Sequence, residues 1–264
     1  MIPKIIHYVW VGDKEKPDSV KKCIASWKKY CPDWQIKEWG NDTLKKINNA
    51  YVSEAFEAKK WAFVSDYIRL YALYEQGGIY LDTDEELCAN IDEFINNDFI
   101  ISHENYHGSI GLSMGFIGAA KKHKIIKDML AVYDGLHFKI KENTFDQKPC
   151  PARFAPYFEK HFIFNAKHGD AITKLQDGCF VYPWWYFCTP LKNKKTYAIH
   201  HYDGTWLDTY KRKAIFTFKN WKFVKFKKNK YAPENTLPLY DGEIIKYKYH
   251  CSSYKVYALI KESK

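Results

Sequence analysis

The sequence lacks a disulfide framework. Its seven cysteines stand at positions 23, 31, 88, 150, 179, 188 and 251, with no Cys-x-x-Cys pair. An odd, scattered set suits neither a stapled secreted scaffold nor a cysteine-built zinc site. It suits a reducing, cytoplasmic setting with free thiols. Long apolar runs are also missing. Stretches such as 111–120 fall short of the roughly 20 residues that a membrane-spanning helix needs. The opening MIPKIIHYVWVG has no extended h-region and no small-residue cleavage site, so it reads as a first strand rather than a signal peptide. There is no internal repeat, which argues against a solenoid, and no low-complexity linker. One local absence stands out: residues 211–230 contain nine Lys or Arg and no acid.

What is present fits a sizeable folded domain. The chain has 264 residues, 46% of them hydrophobic, enough for one large α/β domain with or without a small appendage. Aromatics reach 18%; they fill cores but also stack on sugars and bases. The net charge of +10 favours an anionic partner and says nothing about fold. Residues 5–11 form a β-rich run ending at Gly12. Val20, Ile24 and Trp27 share a helical face over 18–30, and 34–39 reads as a short strand. The strongest helical pattern covers 54–76, with Gly77-Gly78 ending it through a left-handed cap. Strands are expected at 79–81, 99–102, 115–118, 180–183 and 197–201, and a helix at 125–133. This alternation implies a layered α/β fold. The expected division is a catalytic domain over 1–207 and an appendage over 208–264, where Phe216, Phe218, Trp221, Phe223 and Phe226 interleave with the basic residues.

Asp82 and Asp84 follow the buried strand at 79–81. Two carboxylates two residues apart at a strand's C-terminal end can approach one divalent cation, and that edge of an open α/β sheet is where ligands bind. Mg²⁺ and Mn²⁺ prefer such oxygen donors. Alone the tripeptide is common in surface loops; its position after a glycine-ended helix and an apolar strand is what gives it meaning. On the preceding helix Asp66 and Arg69 are three residues apart and share a face. Two charges in the otherwise apolar run 62–69 cost stability unless they have a task or tight partners.

The blocks 65–69 (Ser-Asp-Tyr-Ile-Arg) and 77–84 (Gly-Gly-Ile-Tyr-Leu-Asp-Thr-Asp), with the opening 2–12 and the closing 198–206, resemble glycosyltransferase family 32. They are also similar to the catalytic core of clostridial glucosylating toxins. The resemblance implies a GT-A fold: a Rossmann-like α/β domain with a mixed central sheet flanked by helices. It implies a retaining transfer of a hexose or N-acetylhexosamine from a nucleoside-diphosphate sugar, with UDP the expected carrier and Mn²⁺ or Mg²⁺ the expected metal. Carried over, Trp10 stacks on the nucleobase with Val9 beside it, and Ser65 lines the nucleotide site. Asp66 and Arg69 hold the sugar, and Asp82 contacts ribose, sugar or metal-bound water. Asp84 ligates the metal, and Trp206 reaches the diphosphate through its indole N–H. His200 and His201 are adjacent, so on a strand they face opposite ways; motif spacing selects His201 as the further ligand. Residues 111–118 are expected to line the sugar pocket. The acceptor is expected to be a glycan, in particular a lipid-linked surface polysaccharide intermediate, with a protein acceptor as the alternative. The enzyme would then be cytoplasmic, with its basic tail on the anionic inner face of the membrane; nucleic acid is not expected.

Three other readings compete. His103-Glu104-Asn105-Tyr106-His107 spells the HExxH of zinc proteases. That chemistry needs a helix, whereas the strand before it and Gly108 and Gly111 after it argue for a loop near the acceptor. The strand-DxD pattern also resembles aspartyl phosphatases, but Glu86 stands where they need a small hydroxylated or branched residue. A non-enzymatic module binding anionic surfaces through the basic tail is the third.

Overall fold

The computed structural model describes residues 1–202 except 107 and 142–143, and beyond them the backbone of four strands. Strand β1 (Ile5–Val9) leads into helix α1 (Asp18–Tyr30) and strand β2 (Gln35–Trp39). Helices α2 (Ala50–Glu57) and α3 (Trp61–Gln76) precede strands β3 (Gly78–Leu81) and β4 (Glu85–Leu87). Strands β5 (Phe99–Tyr106) and β6 (Ser109–Ala119) lead to helix α4 (Lys124–Ala131). A small ribbon of β7 (Lys139–Lys141) and β8 (Thr144–Phe145) precedes helix α5 (Cys150–His161). Then come β9 (Thr173–Gln176), β10 (Cys179–Tyr182), the short helix α6 (Trp184–Phe187) and β11 (Ala198–His200).

Seven strands form one sheet in the order β2-β1-β3-β6-β5-β10-β9. Neighbours β2, β1 and β3 are parallel, as are β5 and β10; β6 and β9 run against them. The expected mixed α/β sheet is therefore present. It also follows that β1, β3, β5 and β10 end on one common edge. Two cores cover its faces. One joins Val64, Ile68 and Leu73 of α3 to Met129 of α4 and Phe158 of α5; the other gathers Trp27 of α1 and Phe187 of α6 under Ile6 and Ile79.

Local details explain where the elements begin and end. The long helix expected over 54–76 is two helices. Asn49 caps the first by accepting from the Val52 amide at 3.2 Å. It ends where Lys59 turns left-handed (φ 54°), while Glu54 is engaged by His137 and the Lys139 amide. The expected stop at Gly77-Gly78 is where α3 ends. Gly77 (φ 67°) donates its amide to Leu73 O. At Gly78 (φ 107°) a Cβ would lie 2.5 Å from Ile5 O, so only glycine lets β3 approach β1 here. Buried His7 pins the same junction: Nε2 meets Gly77 O at 2.7 Å while Nδ1 accepts from Trp39 Nε1 at 3.0 Å. Burial drives this ring's pKa down to about 4.

The chain divides into two compact units, Met1–Tyr202 and Asp203–Lys264. In the second, β12 (Tyr210–Phe218), β13 (Trp221–Lys228), β14 (Glu243–His250) and β15 (Lys255–Lys261) form an antiparallel sheet ordered β12-β13-β15-β14. Among the described residues no helix is long and apolar enough to cross a membrane, and Cys23, Cys31, Cys88, Cys150, Cys179 and Cys188 are not joined in disulfides.

Candidate functional site

The common edge of β1 and β3 carries the charged cluster. Asp66 and Arg69 project from α3, 8% and 5% exposed, and their charges neutralise each other. Arg69 Nη2 lies 2.8 Å from Asp66 Oδ1 and 3.3 Å from Asp82 Oδ1. Its Nη1 donates to Met114 O at 2.6 Å, and Ser65 Oγ accepts from Nη2 at 3.2 Å. The guanidinium also stacks over Tyr80, whose hydroxyl donates to Asp82 Oδ1 at 2.7 Å. Four of the expected residues (Ser65, Asp66, Arg69, Asp82) thus form one network. Burial pushes Asp66 up to about 6, with Arg69 opposing and Asp82 adding to the rise.

The second half comes from β4 and β11, which pair antiparallel with His200 opposite Glu85 and Ile199 opposite Glu86. This register decides between the adjacent histidines. His200 Nε2 stands 3.3 Å from Asp84 Oδ1, and its Nδ1 is 3.7 Å from Glu85 Oε1. His201 is turned the other way and meets the exposed Glu86 at 2.9 Å. The ligand atoms that converge are those of Asp82, Asp84 and His200, all within 4.8 Å of one another. Alternation along β11 places His200, the residue facing Glu85, beside the carboxylates and turns the expected His201 away from them.

Glu85 was not legible as a site residue. It is fully buried with neither carboxylate oxygen hydrogen-bonded, and its backbone carbonyl accepts from Trp27 Nε1 at 2.8 Å. Gly115 makes room for it: a Cβ there would lie 2.6 Å from Glu85 Oε1 and 3.2 Å from Asp82 Oδ2. The expected lining segment 111–118 therefore does reach the cluster, through Met114 O and Gly115. Burial pushes Glu85 well above the carboxylate range. Burial alone would lower His200, but Glu85 and Asp84 outweigh it and raise the imidazole well above its ordinary value. Glu104, on β5, is pushed up to about 7 by burial, His200 opposing and Asp82 adding.

The other expected residues are placed as follows. Val9 is buried in the core, 6% exposed. Trp10 follows β1 on the same edge as Asp82; its Nε1 donates to Lys14 O at 2.8 Å and Lys16 Nζ lies 5.8 Å from its ring. Trp206 lies outside the described residues, as does His107. The HExxH segment is not the expected loop: 103–106 continue β5, paired with 109–112 of β6. A strand sends His103 and Glu104 to opposite faces. Indeed His103 is buried, its ring stacked on Phe164 and Nδ1 3.2 Å from Ala166 O. The helix a zinc protease requires is absent from this segment.

A metal fits the converging set. Two carboxylates and an imidazole whose ligand atoms lie within 4.8 Å of one another suit Mn²⁺ or Mg²⁺ chemically.

Comparison with known proteins places these residues in context. Residues 17–105 match the family described as "Glycosyltransferase sugar-binding region containing DXD motif". A curated protein of Acanthamoeba polyphaga mimivirus, named an uncharacterized glycosyltransferase, is 30% identical over 108 residues, 39% of this chain. The chain covers 43% of that relative's length. Among solved structures, PaToxG glycosyltransferase aligns over 50% of this chain and 60% of its own, with 21% identity and a TM-score of 0.41. A glycosyltransferase involved in glycosylating the major capsid of PBCV-1 aligns over 69% and 83%, with 16% identity and a TM-score of 0.37. The resemblance read from Asp66, Arg69, Asp82 and Asp84 is thus borne out by the family match, which contains all four.

Proposed function

We propose that this chain is a metal-dependent, retaining glycosyltransferase with a GT-A-type donor site. It moves a hexose or N-acetylhexosamine from a nucleoside-diphosphate sugar, UDP by preference, to a glycan acceptor. The observation that carries the reading is the buried guanidinium of Arg69 joined to both Asp66 and Asp82, beside the Asp82–Asp84–His200 convergence. A buried charge network at the ligand-binding edge of an α/β sheet marks a site for a polar, charged substrate.

In this reading Asp84, Asp82 and His200 hold the divalent ion, which when bound offsets charge on the departing diphosphate. Asp66 accepts from sugar hydroxyls. Arg69 is fixed by Asp66, Ser65 and Met114 O, so it presents its charge without reorganisation. Trp10 covers the nucleobase. Much of the rate enhancement then comes from positioning. The acceptor is a lipid-linked surface polysaccharide intermediate, or in the toxin-like alternative a protein. The basic Asp203–Lys264 unit supports peripheral association with the anionic cytoplasmic face of a membrane.

A panel of UDP- and GDP-sugars with Mn²⁺, scored for hydrolysis and for binding, tests the reading. Consumption of at least one donor only with metal present is expected. If no donor is bound or consumed, the enzyme assignment fails.

A further inference from the structure

A second concave region lies apart from the carboxylate cluster, beyond the end of β10. It has a volume of about 270 Å³ and is lined by Ile172, Pro183, Trp185 and Tyr186 together with the charged Asp170, Lys194 and Lys195. This is just below the roughly 300–1,000 Å³ typical of ligand sites. It suits one or two sugar rings rather than a whole nucleotide-sugar.

Its chemistry is amphipathic in a particular way. The aromatic wall is rigid: Tyr186 stacks on Tyr197 (centroids 5.5 Å apart, 22° between planes), and Trp185 meets Trp184 edge-on at 5.3 Å. Lys194 Nζ lies 5.6 Å from the Trp185 ring centroid, and a turn from its amide to Leu191 O at 3.1 Å holds its backbone. Ile172 is 49% exposed, a large apolar side chain left facing solvent. A pyranose ring presents an apolar C–H face and a girdle of hydroxyls. Flat aromatic surface covers the first; a carboxylate acceptor and an ammonium donor engage the second. The charged lining is mixed, one acid beside two lysines of which Lys195 is paired with Glu93 at 2.8 Å, and so does not favour a strongly anionic or cationic ligand.

Position adds to this. The cleft follows the C-terminal end of β10, on the same sheet edge as Asp82 at the end of β3. The segment that builds its wall, Pro183 through α6, runs directly into Cys188. That thiol donates to His103 O at 3.3 Å and lies within 4.8 Å of ligand atoms of Glu85 and His200. One short stretch of chain therefore joins the cleft wall to the proposed catalytic cluster.

We propose that this cleft is a saccharide subsite that holds a sugar ring of the acceptor, against Trp185 and Tyr186, on the same sheet edge as the donor site. The proposal rests on the glycosyltransferase reading for the word acceptor, but not for saccharide binding itself.

The test titrates the full chain with maltotriose, cellotriose, chitotriose and mannotriose by saturation-transfer NMR and calorimetry, with and without UDP and Mn²⁺. At least one trisaccharide should bind, and UDP with Mn²⁺ should not displace it. Trp185→Ala should weaken binding about tenfold, the equivalent of one lost aromatic stacking contact. Because Trp185 is largely buried, the rim variants Lys194→Glu and Asp170→Asn provide a second arm. Both should weaken binding several-fold with unchanged thermal melting. The proposal is overturned if none of the four binds at about 20 mM, a concentration that would reveal even millimolar affinity. It is equally overturned if binding is the same in the rim variants, or if UDP with Mn²⁺ abolishes it, which would make the cleft part of the donor pocket. Donor hydrolysis by the wild-type chain separates the two claims. Trisaccharide binding without hydrolysis sinks the enzyme reading and keeps the subsite; hydrolysis without trisaccharide binding does the reverse.

Discussion

His200 Nε2 stands 3.3 Å from Asp84 Oδ1, whereas the adjacent His201 meets Glu86 instead. The two histidines are therefore not equivalent. His200→Ala should lower Mn²⁺ affinity and metal-dependent donor turnover by at least about 10–100-fold, the scale already seen when only an outer-shell partner of a metal ligand is removed. His201→Ala should stay within a few-fold of wild type. Calorimetric titration with Mn²⁺ beside a hydrolysis assay checks both; equal losses in the two variants would refute the assignment.

Metal binding should also depend on pH in a definite direction. A ligating imidazole must be neutral, and Glu85 and Asp84, against the effect of burial, raise His200 above its ordinary 6.5. Mn²⁺ affinity should therefore climb as pH rises through and above 6.5, with proton release on binding. A pH-independent affinity over that range would contradict His200 as a ligand.

Arg69 holds two carboxylates at once. Arg69→Ala should destabilise the protein by about 3–5 kcal/mol, because it strands the buried Asp66 charge. Asp84→Asn should instead remove metal-dependent turnover while leaving thermal melting close to wild type. Chemical denaturation and donor hydrolysis, measured together, distinguish the two behaviours.

Gly115→Ala probes the space under the carboxylates. The added methyl would lie 2.6 Å from Glu85 Oε1 and 3.2 Å from Asp82 Oδ2, so the acids must move. Activity should fall by about an order of magnitude or more, since small displacements in a positioned site are costly. A fully active Gly115→Ala enzyme would show that the cluster tolerates repacking.

His7 gives a pH signature of stability that is separate from activity. Burial holds its folded pKa at about 4, below the ordinary imidazole value of 6.5. The unfolded chain thus binds more protons between those values, and stability falls as pH drops from about 6.5 towards 4. In His7→Gln, which keeps a donor for Gly77 O, that part of the slope should vanish. Urea denaturation at several pH values measures it.

Much of the site was legible because its residues carry local signals. Asp82 and Asp84 follow a glycine-ended helix and an apolar strand, and Asp66 and Arg69 are charges where the helical pattern wants apolar residues. What was not legible depends on register and on distant packing. Nothing in His200-His201 tells which faces Asp84; pairing with β4 does. Glu85 reads as one more acid after the motif, and its burial rests on Trp27 from α1 and the missing side chain of Gly115. The helix at 150–161 was missed: it contains Pro151 and Pro156 and has no side-chain cap. The strand at 103–106 was hidden by the glycines that follow it, and the break between α2 and α3 by a lysine, not a glycine, in the left-handed region.

The junction between α3 and β3 has a mechanical consequence. A single residue, Gly77, separates the last helical residue Gln76 from the first strand residue Gly78. Arg69 lies on one side of that joint and Asp82 on the other, and they meet at 3.3 Å. Inserting one residue into β3 would slide Asp82 by about 3.3 Å along the strand, as far as the whole separation of the pair. The stretch between them behaves as a spacer of fixed length. Homologous chains should show no insertions or deletions between the arginine and the first aspartate.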